Sequence, residues 1–385
     1  MKSNYDILGN HIRLVDTRNK DLVSEQVLGI NIDKFFMPSV ANVIGTDLSK
    51  YKLITKGKFA CNPMHVGRDE RLPVALYSED TPAIVSPAYF MFEIMDSSVL
   101  NEEYLMMWFR RPEFDRLCWL RTDGSVRGGI TWDDICRMEV PVPPMDEQME
   151  TVNSYKAITK RIALKKQIND NLAETEQALL SETITANQTT TITLDNLVEF
   201  IDGDRGKNYP TFDEFTSEGY CLFLNASNVT SSGFNFDTCM FVTEEKDKAM
   251  NKGHLSAFDI ILTSRGTLGN VALYDNNIPY KNVRINSGML IMRPKTERIS
   301  AYFIYALLKS GYMKIAIEQF RSGSAQPQLP IKDLQKISFD IPDNDTILKT
   351  ADKQFQALEE TISKNKCEID KLKALSSVLL AELSR

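Results

Sequence analysis

Three groups of cationic and amide side chains stand where the chain can bring them against a polyanion. The stretch Asp202-Gly203-Asp204-Arg205-Gly206-Lys207-Asn208-Tyr209-Pro210 offers Arg205, Lys207, Asn208 and Tyr209 beside two glycines. Arg265-Gly266-Thr267-Leu268-Gly269-Asn270 follows an apolar run, and Lys281 and Arg284 come soon after. Arg321, Ser324, Gln326 and Gln328 flank the Gly323-Ser324 turn. The first half of the chain carries counterparts in Arg121, Ser125 and Arg127, with Arg127 where the second half has Gln326. Arg68 and Arg71 lie roughly where the Arg265 loop falls in the other half. Base edges in a groove are read by such Arg, Lys, Asn, Gln and Ser side chains, and glycine permits close backbone approach. The chemistry on offer is DNA recognition. The plainer reading of each group is a solvated turn, and His65 is assigned no role.

Bond-making chemistry finds little support. Gly206-Lys207 invites a phosphate-loop reading, but Ile201 stands where the leading Gly is required and Asn208 replaces the Ser or Thr. An amino-methyltransferase needs an Asp- or Asn-Pro-Pro-aromatic motif. The nearest strings, Asn62-Pro63-Met64-His65 and Val142-Pro143-Pro144-Met145, do not fit. The six cysteines include no C-x-x-C pair, and the three histidines are far apart, so no metal site is expected. Scattered cysteines and an N-terminus without an apolar signal core predict reduced thiols and a cytoplasmic protein. No apolar run is long enough to span a membrane.

The elements that must position these residues come in two copies. Val74-Ala75-Leu76-Tyr77 returns as Val271-Ala272-Leu273-Tyr274, 197 residues on. Ile130, Asp134, Ile135, Val142 and Pro143 return as Leu329, Asp333, Leu334, Ile341 and Pro342 at a shift of 199. Within each copy, short apolar runs between Gly, Pro and Asn turns predict strands: Gln26–Ile32 and Ala83–Ile94, then Tyr220–Leu224, Asp259–Ser264 and Gly288–Arg293. One amphipathic helix is expected over Asn101–Leu117 and its counterpart over Ser300–Phe320, capped by Asn101 and Ser300. The class is therefore α+β, as two tandem α/β modules, each followed by a long helix.

The tails 145–182 and 345–383 contain neither Gly nor Pro. Their apolar stripes, Ile158, Ile162, Ile168, Leu172 and Leu179 and then Leu358, Ile362, Ile369, Leu372 and Leu379, predict long helices that pack on one another, antiparallel and with pseudo-two-fold symmetry. Asn365 and Ser376 fill polar seam positions. Charged flanks such as Lys160-Arg161, Lys165-Lys166 and Glu359-Glu360 read as a solvated face or as docking sites for partner helices. A helix of some 38 residues runs about 57 Å and is marginal without a partner. The predicted boundaries are 1–143 for the first module, 144–187 for the first helix and linker, 188–342 for the second module and 343–385 for the second helix. The Thr-rich stretch Thr183–Thr193 is expected to serve as the link.

This duplicated plan, together with the Asp202–Pro210 loop and Gly323-Ser324-Ala325-Gln326-Pro327-Gln328, resembles the specificity subunit of Type I restriction–modification systems over essentially the whole chain. The resemblance implies two target-recognition domains, each reading one half of an interrupted, asymmetric site on double-stranded DNA. It also implies that the helices act as spacer and docking site for two methyltransferase subunits, with motor–nuclease subunits added for restriction. The subunit itself would then be non-catalytic and would bind no cofactor. S-adenosylmethionine would belong to the partner that carries out DNA methylation. A coiled-coil scaffold whose modules bind proteins is the alternative.

The chain of 385 residues carries a net charge of −7, which argues against coating nucleic acid by charge alone. Residues 1–143 hold 17 Lys and Arg against 20 Asp and Glu, and residues 188–342 hold 16 against 17. Positive charge is therefore local, on loops.

Overall fold

A computed structural model describes residues 4–40, 45–64, 66–122, 128–320 and 328–383. The chain divides into two compact units. One is Met1–Ala163 with Ile369–Arg385, and the other is Leu164–Glu368, so each long helix gives part of its length to each unit.

The first unit contains β1 (Tyr5–Ile7), β2 (Ile12–Leu14), β3 (Val27–Ile30), β4 (Phe36–Pro38), β5 (Lys52–Ile54) and β6 (Phe59–Cys61). After the short α1 (Val66–Asp69) come β7 (Val74–Leu76), β8 (Ala83–Val85) and β9 (Phe90–Ile94). They are followed by α2 (Glu102–Phe109), α3 (Pro112–Leu120), α4 (Trp132–Cys136), β10 (Glu139–Pro141) and the long α5 (Met145–Thr185). One antiparallel sheet has the order β2-β9-β6-β7. A second has the order β4-β3-β8-β5, with β3 and β8 parallel. β1 pairs with β10, joining the start of the module to its end.

The core lies between the first sheet and the helices. Phe59 stacks on Phe92 at 5.0 Å, and both meet the edge of Phe109. Trp108 and Phe114 close the cluster. Asn101 caps α2 by accepting from the backbone N–H groups of Glu103 and Tyr104, an interaction of about 1 kcal/mol. The single helix expected over Asn101–Leu117 is two. Pro112 forces Arg111 into extended backbone (ψ 139°), which ends one helix and starts the next. Likewise Ala83–Ile94 is two strands, because Pro87 cannot donate to a continuous ladder.

The second unit repeats the plan with β11 (Thr189–Thr193), α6 (Leu194–Leu197), β12 (Val198–Asp202), β13 (Cys221–Leu224), β14 (Val229–Thr230), β15 (Gly233–Phe234) and β16 (Phe241–Val242). It continues with α7 (Glu244–Ala249), β17 (Ile260–Thr263), β18 (Val271–Leu273), β19 (Val283–Ile285) and β20 (Met289–Pro294). Last come α8 (Ala301–Lys309), α9 (Gly311–Phe320), α10 (Ile331–Leu334), β21 (Ser338–Pro342) and the long α11 (Asp345–Glu382). The sheet order β12-β20-β17-β18 matches that of the first unit strand for strand. β13 lies between β16 and a parallel β19, as β3 lies between β4 and a parallel β8. Ser300 caps α8, and the expected Ser300–Phe320 helix breaks where Ser310 adopts ψ 155°. The Thr-rich link is not loose. Its first residues end α5, and Thr189–Thr193 is a strand paired along its length with β21.

The long helices pack antiparallel. In the second unit Lys165 donates to Asn365 (2.7 Å) and pairs with Glu368 (2.9 Å), while Asn365 donates to Asn169 (2.8 Å). In the first unit Val152 and Tyr155 share a core with Leu379, Leu380 and Leu383. Ile362 and Ile369 are buried, and Ile158, Ile162, Leu172, Leu179, Leu358, Leu372 and Leu379 are half-buried. Ile168, counted in the predicted stripe, is 44% exposed. Glu359 is no surface charge: it is buried and shares Lys309 with Glu176. Among the described residues no helix is long and apolar enough to cross a membrane.

Candidate nucleic-acid interface

In the second unit the register brings three connections to one end of the sheet. Asp202 pairs with Leu290, Thr263 pairs with Met289, and Leu262 pairs with Val271. The segments 203–209, 264–270 and 286–288 therefore leave the sheet side by side. The turn Asn286-Ser287-Gly288 links the other two. Its Ser287 carbonyl accepts from Arg205 Nη2 (3.3 Å), and its Gly288 carbonyl accepts from the backbone N–H groups of Ser264 (2.9 Å) and Arg265 (3.1 Å). A Cβ on Gly203 would lie 2.1 Å from the Asn286 carbonyl oxygen, so glycine is required for this close approach.

Asp204 fixes the first loop. Its buried carboxylate accepts from Gly206 N–H (2.6 Å) and from Asn251 N–H (2.7 Å). The Gly206 N–H above all, then those of Asn251 and Lys252 and the charge of Arg284, hold that carboxyl below its ordinary range. Arg205 pairs with Asp202 (3.1 Å) yet stays half exposed. Lys207 and Arg265 are exposed and make no ion pair among the described residues. Arg265 bridges to exposed Gln328 in antiparallel fashion, and Leu329 N–H donates to Ser264 O, so Gln328, the described end of the third predicted segment, lies beside the Arg265 loop. Gly269 lies against Ile317 of α9, which seats the Arg265 loop on the helix.

Other predicted residues serve the scaffold. Arg284 is 5% exposed. Its guanidinium is spent on Asp247 Oδ1 (2.5 Å) and on the carbonyls of Asp247, Met250 and Lys252, so it positions the module and presents nothing. It was expected on the surface because a strand interior cannot be told from a loop by one Arg. Lys281 precedes β19 while Asn286 follows it, about 16 Å along the strand, so Lys281 is not part of this cluster. Asn208 donates to Ala249 O, and Asn270 donates to Val229 O, bracing their loops. Tyr209 is half-buried with its ring edge-on to Phe223. Lys252 was missed by sequence reading. It stands beside the Asp204 carboxylate, exposed, and only the fold brings it there.

The first unit repeats this arrangement. Cys61 pairs with Phe90 and with Val74, so the 62–73 connection and the 86–89 turn emerge together. Gly67 N–H donates to Gly128 O, and Ile130 N–H donates to Pro63 O, as Leu329 does to Ser264 in the other copy. Arg68 pairs with Asp69 (2.6 Å) and Arg71 with Asp33 (3.1 Å), both still more than half exposed. The loop after β2 adds exposed Lys20 and half-buried Arg18, which sequence reading had left aside. Arg121 lies elsewhere, on the wall of a cavity with Arg111 and Arg137. Ser125, Arg127, Arg321, Ser324 and Gln326 lie outside the described residues, as does His65.

Residues 188–373 match the family described as Type I restriction modification DNA specificity domain. The fold is similar to that of the S subunit of a Type I restriction–modification system from M. genitalium, at 17% identity and a TM-score of 0.61, covering 98% of this chain and 95% of that one. A structure concerned with complex assembly and conformational transition of the type I R-M system aligns at 15% identity and TM-score 0.47, covering 99% and 97%. The HsdS subunit from Thermoanaerobacter tengcongensis aligns at 15% and 0.36, covering 98% and 95%. No curated protein sequence matches the chain.

Proposed function

We propose that the chain, whose residues 188–373 match the family described as Type I restriction modification DNA specificity domain, belongs to that family as a whole and reads an asymmetric, interrupted DNA site with one module per half. The observation that carries this reading is the repeated meeting of three loops at one end of equivalent sheets, furnished with different side chains in each copy. In the second unit Arg205, Lys207, Arg265 and Gln328 are the groups offered to DNA. In the first they are Arg68, Arg71 and Lys20.

Recognition divides into phosphate contacts that position and base contacts that specify. Arg265, exposed and in no ion pair among the described residues, and its neighbour Gln328, also exposed, suit base edges, since both side chain types can bond two groups at once. Lys207, a mobile point charge, suits phosphate. The paired long helices set the distance between readers. Half-sites about one helical turn apart, ~34 Å or somewhat more, would follow, with unread base pairs between.

The chain acts without catalysis of its own in this account. Two methyltransferase subunits dock on it and bring S-adenosylmethionine, and motor–nuclease subunits join for restriction. Since neither module is basic, the partners supply much of the phosphate contact, and the isolated subunit binds DNA weakly. Footprinting of the assembled complex tests the reading: two short protected segments with an open gap support it. Absence of protection sinks it in favour of a scaffold that binds proteins.

A further inference from the structure

The first unit holds a cavity of about 340 Å³ beside α3. Three arginines line it: Arg111 at the start of α3, Arg121 just past its end, and Arg137 after α4. Arg111 is only 6% exposed, and its Nε is buried without a hydrogen-bond partner. The nearest acid, Glu113 Oε2, is 3.6 Å from that atom, beyond hydrogen-bond reach. Arg121 and Arg137 are exposed, and neither guanidinium makes an ion pair or hydrogen bond among the described residues. The floor is apolar, formed by Trp108, Phe114 and Leu117.

A buried arginine with an unspent Nε donor is costly, and the exposed Arg121 and Arg137 on the same cavity add like charge beside it. A chain of net charge −7 has acids enough to neutralise them, yet only Glu139 joins the lining. Guanidinium forks match the oxygens of a phosphate group. The second unit lacks the buried member of the set: Ser310 stands at the break before its α9, where the first unit has Arg111.

We infer that Arg111, Arg121 and Arg137 of the first unit form a phosphate-binding site. The phosphate comes either from the DNA backbone or from a free phosphate compound.

Thermal unfolding of the full chain in sodium phosphate, against sodium chloride at equal ionic strength, tests the site. With a dissociation constant near 1 mM, 20 mM phosphate raises the midpoint by about 4 °C. R111M and R137Q should lose that rise. R111M should still fold, because an apolar side chain of similar length relieves a buried charge, and R137Q removes only an exposed group. A short duplex bound at least fivefold more weakly by R111M assigns the site to backbone phosphate. Unchanged duplex affinity with a lost phosphate response assigns it to a free phosphate compound. An equal rise in wild type and both variants, or no rise in wild type, overturns the inference.

Discussion

Replacing Glu176 by Gln should make the second unit more stable in mild alkali, and by an amount that grows with pH. Glu176 on α5 is 0% exposed and shares Lys309 with Glu359 of α11; Lys309 Nζ lies 2.5 Å from Glu176 Oε2. Two carboxylates face one ammonium, and the Tyr305 ring covers that ammonium at 4.3 Å. Burial pushes the Glu176 carboxyl from its ordinary 4.5 up to about 8, with Lys309 opposing and the Glu359 charge adding. A carboxyl with a raised folded-state pKa contributes stability below its unfolded value and loses it as pH climbs through the folded one. The window here is therefore 4.5 to about 8.

Each pH unit in that window is worth about 1.4 kcal/mol, so the wild type should lose about 3 kcal/mol between pH 6 and 8.5 through this group. Gln keeps the neutral shape and cannot ionise. Circular-dichroism melts of wild type and E176Q should diverge by roughly 6–12 °C between pH 6 and 8.5, on top of the offset of about 2 kcal/mol already set between pH 4.5 and 6. Titrations of groups remote from Glu176, Lys309 and Glu359 cancel in the difference. A difference that does not change with pH would refute the reasoning, as would a variant less stable than wild type at pH 8.5.

Three further outcomes follow from the second unit. R284M leaves Asp247 buried without its charge partner and should destabilise by about 3–5 kcal/mol, read by urea unfolding; a change under 1 kcal/mol would return Arg284 to the surface set. The double variant R205A/R265A should shift stability by less than about 0.5 kcal/mol. Its complex should nevertheless lose DNA affinity, with a log–log salt slope shallower by up to about 2 if both arginines meet phosphate; unchanged binding would remove these loops from the interface. G203A sets a Cβ against the Asn286 carbonyl and should push the two loops apart, lowering both DNA affinity and melting temperature, whereas exposed Lys207→Ala should lower affinity alone.

The duplication was legible because identities persist at nearly constant spacing, and strand order then followed the repeat. The breaks at Arg111 and Ser310 were harder. Pro112 announced one of them, but an amphipathic pattern continues across both. The site was legible as loops rich in Arg and Gly and illegible as a surface. Nothing local distinguishes Arg284, inside β19 and neutralised by an acid 37 residues away, from Arg265, which is exposed. Lys252 and the Asn286-Ser287-Gly288 turn were invisible because their role depends on sheet register, a non-local property. The buried Glu359 read as a solvated helix charge because Lys309 approaches it from another element.

The account stands most directly on a swap of residues 188–342 for the equivalent module of another specificity subunit. The swapped chain is expressed with the methyltransferase subunit proposed to dock on it, and methylated adenines are mapped genome-wide. The account predicts that one half of the modified site changes while the other half and the gap between them stay as they were. Both halves changing together, or neither changing, would contradict it.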